Sequence, residues 1–202
     1  QSLAEKCTEY SGLPYWMFTD CCTDSLQIAI EVTTKPGDTV IVPAYGWRAF
    51  SNAPVIMGRE IDFCDIDATG NVNLEQLDEM IRNTRPAAVI IVHNFGTIVD
   101  VSKIEQVCQE YGVKIIEDSA PSFYMGEPYP YKPGHSSDIV CYSFDFTKFP
   151  GCLGSGGGLA TRDAELANRV YELQAHGTNK DKRVVGIGTK SFLDNTYCTV
   201  LL

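Results

Sequence analysis

Asp145-Phe146-Thr147-Lys148 leads into the glycine-rich stretch Pro150-Gly151-Cys152-Leu153-Gly154-Ser155-Gly156-Gly157-Gly158. A lysine just past an apolar run, flanked by aromatics and glycines, sits where desolvation favours the uncharged amine. That is the form a Schiff-base lysine requires. A lysine in a solvated loop is the plainer reading of the same residues. Asp118 closes the run Ile115-Ile116-Glu117-Asp118. An acid at the C-terminal end of a central parallel strand faces the ligand crevice of an open α/β sheet, where it can hold a protonated pyridine nitrogen. The alternative is a helix N-cap. Asp20-Cys21-Cys22-Thr23-Asp24-Ser25 places small and hydroxyl residues between an apolar run and a helical pattern. Free amides, the helix dipole and the Thr23 hydroxyl there make a phosphate site, while capping by Thr23 or Asp24 explains the same residues more simply. Trp47, after Pro43-Ala44-Tyr45-Gly46, suits stacking on a flat heteroaromatic ring as well as it suits a core.

The elements that must position these residues alternate along the chain. Apolar runs at 15–19, 39–42, 60–64, 88–92, 114–117, 138–143 and 158–161 predict strands. Several are continuously apolar, as in strands covered on both faces. Amphipathic stretches at 24–32, 47–58, 74–83, 101–111 and 162–176 predict helices between them. Strand and helix taking turns predicts an α/β sandwich with a mostly parallel sheet. Residues 125–134 (MGEPYPYKPG) read as a surface loop, and 178–189 as irregular. The apolar segment at 194–202 reads as a helix cut short, and the missing initiator Met implies a preceding segment.

The net charge of −10 and the lack of a basic stripe argue against nucleic-acid binding. No apolar run reaches about 18 residues, so no membrane span is expected. The eight cysteines show no C-x-x-C or Cys/His ligand spacing. They read as free thiols of a reducing cytoplasm, with no metal site.

In this order the segments resemble one family. CTDSL (22–26), VIVPAYGWRAFSNA (40–53), IDFCDID (61–67), VHNFGTIVD (92–100), YGVKIIEDSAPS (111–122), DIVCYSFDFTKFPGCLGSGGGLAT (138–161) and RVYELQAHG (169–177) are similar to the sugar aminotransferases of the DegT/DnrJ/EryC1/StrS family. These are fold-type I enzymes dependent on pyridoxal phosphate (PLP). The most specific match is Ser-Phe-x-x-x-Lys, here Ser143 to Lys148. The resemblance covers all 202 residues but only the first half to two-thirds of a typical member.

The resemblance implies a three-layer α/β/α sandwich with a mixed, mostly parallel seven-stranded sheet. Residues 1–177 would be the PLP-binding large domain, and 178–202 a loop and the start of a truncated C-terminal region. It implies that Lys148 carries PLP as a Schiff base and moves the proton, that Asp118 pairs with the ring nitrogen and that Trp47 stacks on the ring. The Thr23 hydroxyl, the Thr23 and Asp24 amides and the Ser143 hydroxyl would bind the phosphate. The implied reaction passes an amino group from a donor such as glutamate to the keto group of a nucleotide-linked sugar, at a homodimer interface. A PLP enzyme with another amine acceptor, or a catalytically silent PLP-fold partner subunit, fits the same residues. Lys148 departs from the dehydratase branch, which has His there. Cys22 stands where the family has Gly or another small residue, and Pro121 where many members have Gln. Near the C-terminus Lys190 or Ser191 replaces an Asn that reaches the partner's cofactor phosphate.

Overall fold

A computed structural model describes residues 2–123 and 131–202. Seven strands form one sheet: β1 (Tyr15–Thr19), β2 (Thr39–Pro43), β3 (Glu60–Cys64), β4 (Ala88–Val92), β5 (Lys114–Asp118), β6 (Ile139–Ser143) and β7 (Gly157–Thr161). Their order is β1-β7-β6-β5-β4-β2-β3. β7 runs antiparallel to both neighbours. The other pairings are parallel, so the sheet is mixed and mostly parallel, as anticipated. Parallel strands that follow one another in the chain need crossovers; α2 (Cys22–Thr33), α3 (Ala49–Ile56), α4 (Leu74–Thr84) and α5 (Ser102–Tyr111) supply those from β1 to β5, with α6 (Ala164–Gln174) following β7.

The apolar strands are buried on both faces because each supplies two cores with a period of two. Val40, Val42, Ala88, Ile90, Val92 and Ile116 meet α2, α3 and α6. Ile41, Val89, Ile91 and Ile115 meet α4 and α5. The same alternation sends the last two side chains of β5 to opposite faces, Glu117 toward the α4–α5 layer and Asp118 toward α2.

Most element boundaries fall within two residues of expectation. α3 starts later than the anticipated residue 47, because Gly46 at φ 144° turns the chain before Ala49. α1 (Leu3–Ser11) was not anticipated. It carries a Ser2/Glu5 capping box and a left-handed Gly12 at its end, a pairing of signals that specifies a helix even in nine residues. The segment expected to begin a helix near the C-terminus forms α7 (Asn195–Leu201). The loop at 125–134 lies outside the described residues as far as 130. Its remainder corrects the surface assignment, since Tyr131, Pro133 and Gly134 are buried: Tyr131 and the Gly134 amide bond inward to Glu117. All eight cysteines are free thiols, and no described helix is long and apolar enough to cross a membrane.

Candidate active site

Trp47 and Lys148, of the predicted residues, line a cavity of about 750 Å³ whose walls also include Tyr45, Asn94, Pro121 and Phe149. Asp118 ends β5 immediately before the 119–122 turn, three residues of which also line the cavity. Its carboxylate is buried and accepts the Ala120 amide at 3.0 Å. Burial raises the carboxyl above its ordinary value, opposed chiefly by that amide, with Lys148 acting in the same direction.

Lys148 lies in the connection from β6 to β7, half-buried. Asp145 accepts both the Thr147 amide at 3.0 Å and the Thr147 hydroxyl at 2.6 Å. The Lys148 amide donates to the Asp145 carbonyl at 2.8 Å. This Asx turn fixes the backbone from which the lysine projects and lowers the Asp145 carboxyl, chiefly through the Thr147 hydrogen bonds. Gly151 completes the turn: a Cβ there would lie 2.6 Å from the Lys148 carbonyl oxygen.

Thr23 and Asp24 occupy the first turn of α2, whose N-cap is Cys21. First-turn amides have no acceptor within the helix, but the Asp24 amide already donates to Cys21 Sγ at 3.4 Å. The Asp24 carboxylate accepts the Ser191 hydroxyl at 2.8 Å, and Ser191 Oγ accepts the Asp20 amide at 3.1 Å. Of the two candidates to reach a partner's cofactor, Ser191 is therefore buried and committed within its own chain, while Lys190 is exposed. Ser143, at the end of β6, is buried and faces Gly157 across the β6–β7 pair. Gly157 allows β7 to meet α2: an added Cβ would lie 2.4 Å from the Cys21 carbonyl carbon and 2.6 Å from the Cys22 nitrogen.

The structure therefore brings Asp118, Lys148 and the start of α2 into one neighbourhood. Cys22 Sγ lies 4.0 Å from Asp118 Oδ1. Burial pushes the Cys22 thiol well above its ordinary value, with Asp118 adding and Lys148 opposing. Trp47 lines the cavity but is 80 % exposed, which removes the core alternative for it. Sequence reasoning missed Asn94, a buried residue whose Nδ2 donates to the carbonyls of Tyr45 at 3.4 Å and Gly70 at 3.0 Å. The available signal was the polar pair His93-Asn94 directly after the wholly apolar β4.

Residues 1–202 match the model of the DegT/DnrJ/EryC1/StrS aminotransferase family. A UDP-2-acetamido-2-deoxy-3-oxo-D-glucuronate aminotransferase from Pseudomonas aeruginosa is 32 % identical over 203 aligned residues, covering 99 % of this chain and 56 % of its own length. Among solved structures, a DegT DnrJ EryC1 StrS aminotransferase from Brucella abortus superposes with a TM-score of 0.90 at 31 % identity, over 98 % of this chain and 56 % of that one. The ntdA protein of Bacillus subtilis, crystallised with its cofactor PMP bound, superposes with a TM-score of 0.86 at 26 % identity, over all of this chain and 47 % of that one. The chain spans about half the length of the relatives it matches.

Proposed function

The chain belongs to the DegT/DnrJ/EryC1/StrS aminotransferase family, and from that premise we propose that it forms the cofactor-binding part of a PLP-dependent transaminase of nucleotide-linked keto-sugars. The observation that carries this reading is the buried Asp118 carboxylate at the end of β5, 4.0 Å from Cys22 Sγ at the start of α2 and directly before the 119–122 turn, which lines the cavity together with Lys148. The donor set suits a phosphorylated pyridine aldehyde. Asp118 would hold the ring nitrogen, Lys148 Nζ the aldehyde carbon, and the Thr23 hydroxyl, the first-turn amides of α2 and the Ser143 hydroxyl the phosphate. When bound, PLP supplies an electron sink for the Cα–H bond of an amino acid.

The rest of the task falls to the chain's own residues. Asp118 would keep the ring nitrogen protonated, and the closeness of Gly157 to Cys21 and Cys22 lets α2 present its amides without an intervening side chain. Lys148 Nζ would serve as the base toward the donor's Cα proton and as the acid that returns it. Glutamate is the proposed donor. Exposed Tyr45, Trp47, Phe95 and Phe149 line the cavity with apolar surface. That supports a homodimer that closes the site, in which the exposed Lys190 reaches the partner's phosphate. The free thiols support a cytoplasmic location.

The test is a half-reaction. Protein loaded with PLP and mixed with glutamate should lose its visible absorption, and a UDP- or dTDP-linked keto-sugar should restore it. No change with any amino donor would refute transamination.

A further inference from the structure

Behind the cavity lies a polar cluster to which the proposed reaction assigns no role. His93 follows β4 and has no exposed surface, nor has Glu117. The Val99 amide donates to His93 Nδ1 at 3.1 Å, so the ring carries its proton on Nε2. His93 Nε2 then donates to Glu117 Oε2 at 2.7 Å. The other Glu117 oxygen accepts the Tyr131 hydroxyl at 2.9 Å and the Gly134 amide at 2.7 Å. Burying a carboxylate costs several kcal/mol unless donors surround it, and here three do.

The backbone of His93 serves the front of the sheet. Its amide donates to the Asp118 carbonyl at 3.1 Å, and its carbonyl accepts the Ser122 hydroxyl at 3.4 Å. Ser119 Oγ in turn donates to the Ser122 carbonyl at 2.6 Å. One buried residue thus ties the ends of β4 and β5, the 97–99 segment and the 119–122 turn that lines the cavity. Glu117 adds the 131–134 segment from the opposite face.

We propose that His93, Glu117 and Tyr131 are positioning residues: from the far face of the sheet they clamp the end of β5, and so set where the Asp118 carboxylate meets the ring nitrogen of the cofactor. This rests on the PLP reading of the cavity and deepens it. None of the three touches the reacting atoms. The adjacency of Glu117 and Asp118 on one strand makes the coupling short, because neighbouring residues of a strand share a peptide unit while facing opposite sides. A backbone shift at Glu117, when its side chain is no longer held, is therefore passed directly to Asp118.

The test compares binding of PLP with binding of its 1-deaza analogue, in which C–H replaces the ring nitrogen. Unsubstituted protein should prefer PLP by about tenfold or more, the worth of a charge-assisted hydrogen bond. Tyr131→Phe removes one donor from Glu117 at nearly constant volume, and Glu117→Gln sets an amide against the His93 N–H. Each should shrink the PLP preference by at least about twofold, with the far-UV spectrum of a folded protein. Should Glu117→Gln fail to fold, Tyr131→Phe decides alone. Weaker binding of both compounds by one common factor, with the preference unchanged, would mean a purely structural cluster and would overturn the proposal. Absence of any Lys148-linked cofactor band in the unsubstituted protein would instead overturn the functional reading, and the positioning role with it.

Discussion

Replacing Gly157 by alanine probes the contact between β7 and the start of α2, on which the proposed phosphate end of the site depends. The added Cβ would stand 2.4 Å from the Cys21 carbonyl carbon, 2.5 Å from its oxygen and 2.6 Å from the Cys22 nitrogen. All three are backbone atoms, so no side chain can swing aside. Ordinary contact begins near 3.4 Å, and β7 must therefore draw away from the start of α2 by about 1 Å. Interiors packed at crystal-like density resist such a shift, and overpacking of this kind costs about 1–3 kcal/mol. In a chain of 202 residues each kcal/mol lowers Tm by about 2–4 °C, so Gly157→Ala should melt roughly 2–12 °C below the parent. The assay is thermal unfolding of the cofactor-free protein, with Gly186→Ala as control, since a Cβ at Gly186 meets nothing within 4 Å. A Gly157→Ala protein melting with the parent would refute the claim that β7 and α2 meet through this glycine. The same displacement moves the phosphate donors, and an error of about 1 Å can cost a hundredfold in turnover.

Asp118→Asn should separate stability from function. The folded-state pKa of Asp118 lies above the ordinary 3.8. Its stabilising contribution is therefore full below that value and lost as pH rises through the folded-state pKa. At pH 7 the cofactor-free Asn variant should melt above the parent, with the gain vanishing toward pH 4, while its affinity for PLP falls. A variant less stable at pH 7 would contradict the burial argument. Ser191→Ala removes hydrogen bonds to Asp24 and Asp20; it should cost about 1–3 kcal/mol in thermal unfolding and weaken PLP binding. An unchanged Tm would show that the 191 segment does not brace the phosphate turn.

Much of the fold could be read from local pattern. β4, Ala-Val-Ile-Ile-Val, is apolar throughout because it feeds two cores, and Gly112 ends α5 in the left-handed region. α1 escaped attention because its apolar residues are few, although Ser2, Glu5 and Gly12 mark both of its ends. For the site, Lys148 and Asp118 carry chemistry in their residue types, and the family pattern supplied their pairing. What the sequence could not express is contact between distant segments. Ser191 bonding Asp24 spans 167 positions, and Cys22 meeting Asp118 spans 96. The inward turn of Tyr131 was hidden for a different reason, since its prolines and glycines are those of an exposed loop. Only the unmet hydrogen-bonding needs of Glu117, a carboxylate placed in an apolar strand, hinted that some segment had to return and cover it.

The central claim is that Lys148 is the residue to which PLP is joined. Borohydride treatment of the PLP-loaded protein should fix the cofactor irreversibly, and peptide mass mapping should locate it on the fragment containing Lys148. Lys148→Ala should remain unlabelled there and show no visible absorption band. Cofactor fixed on another lysine, or a Lys148→Ala protein that keeps the band, would contradict the account.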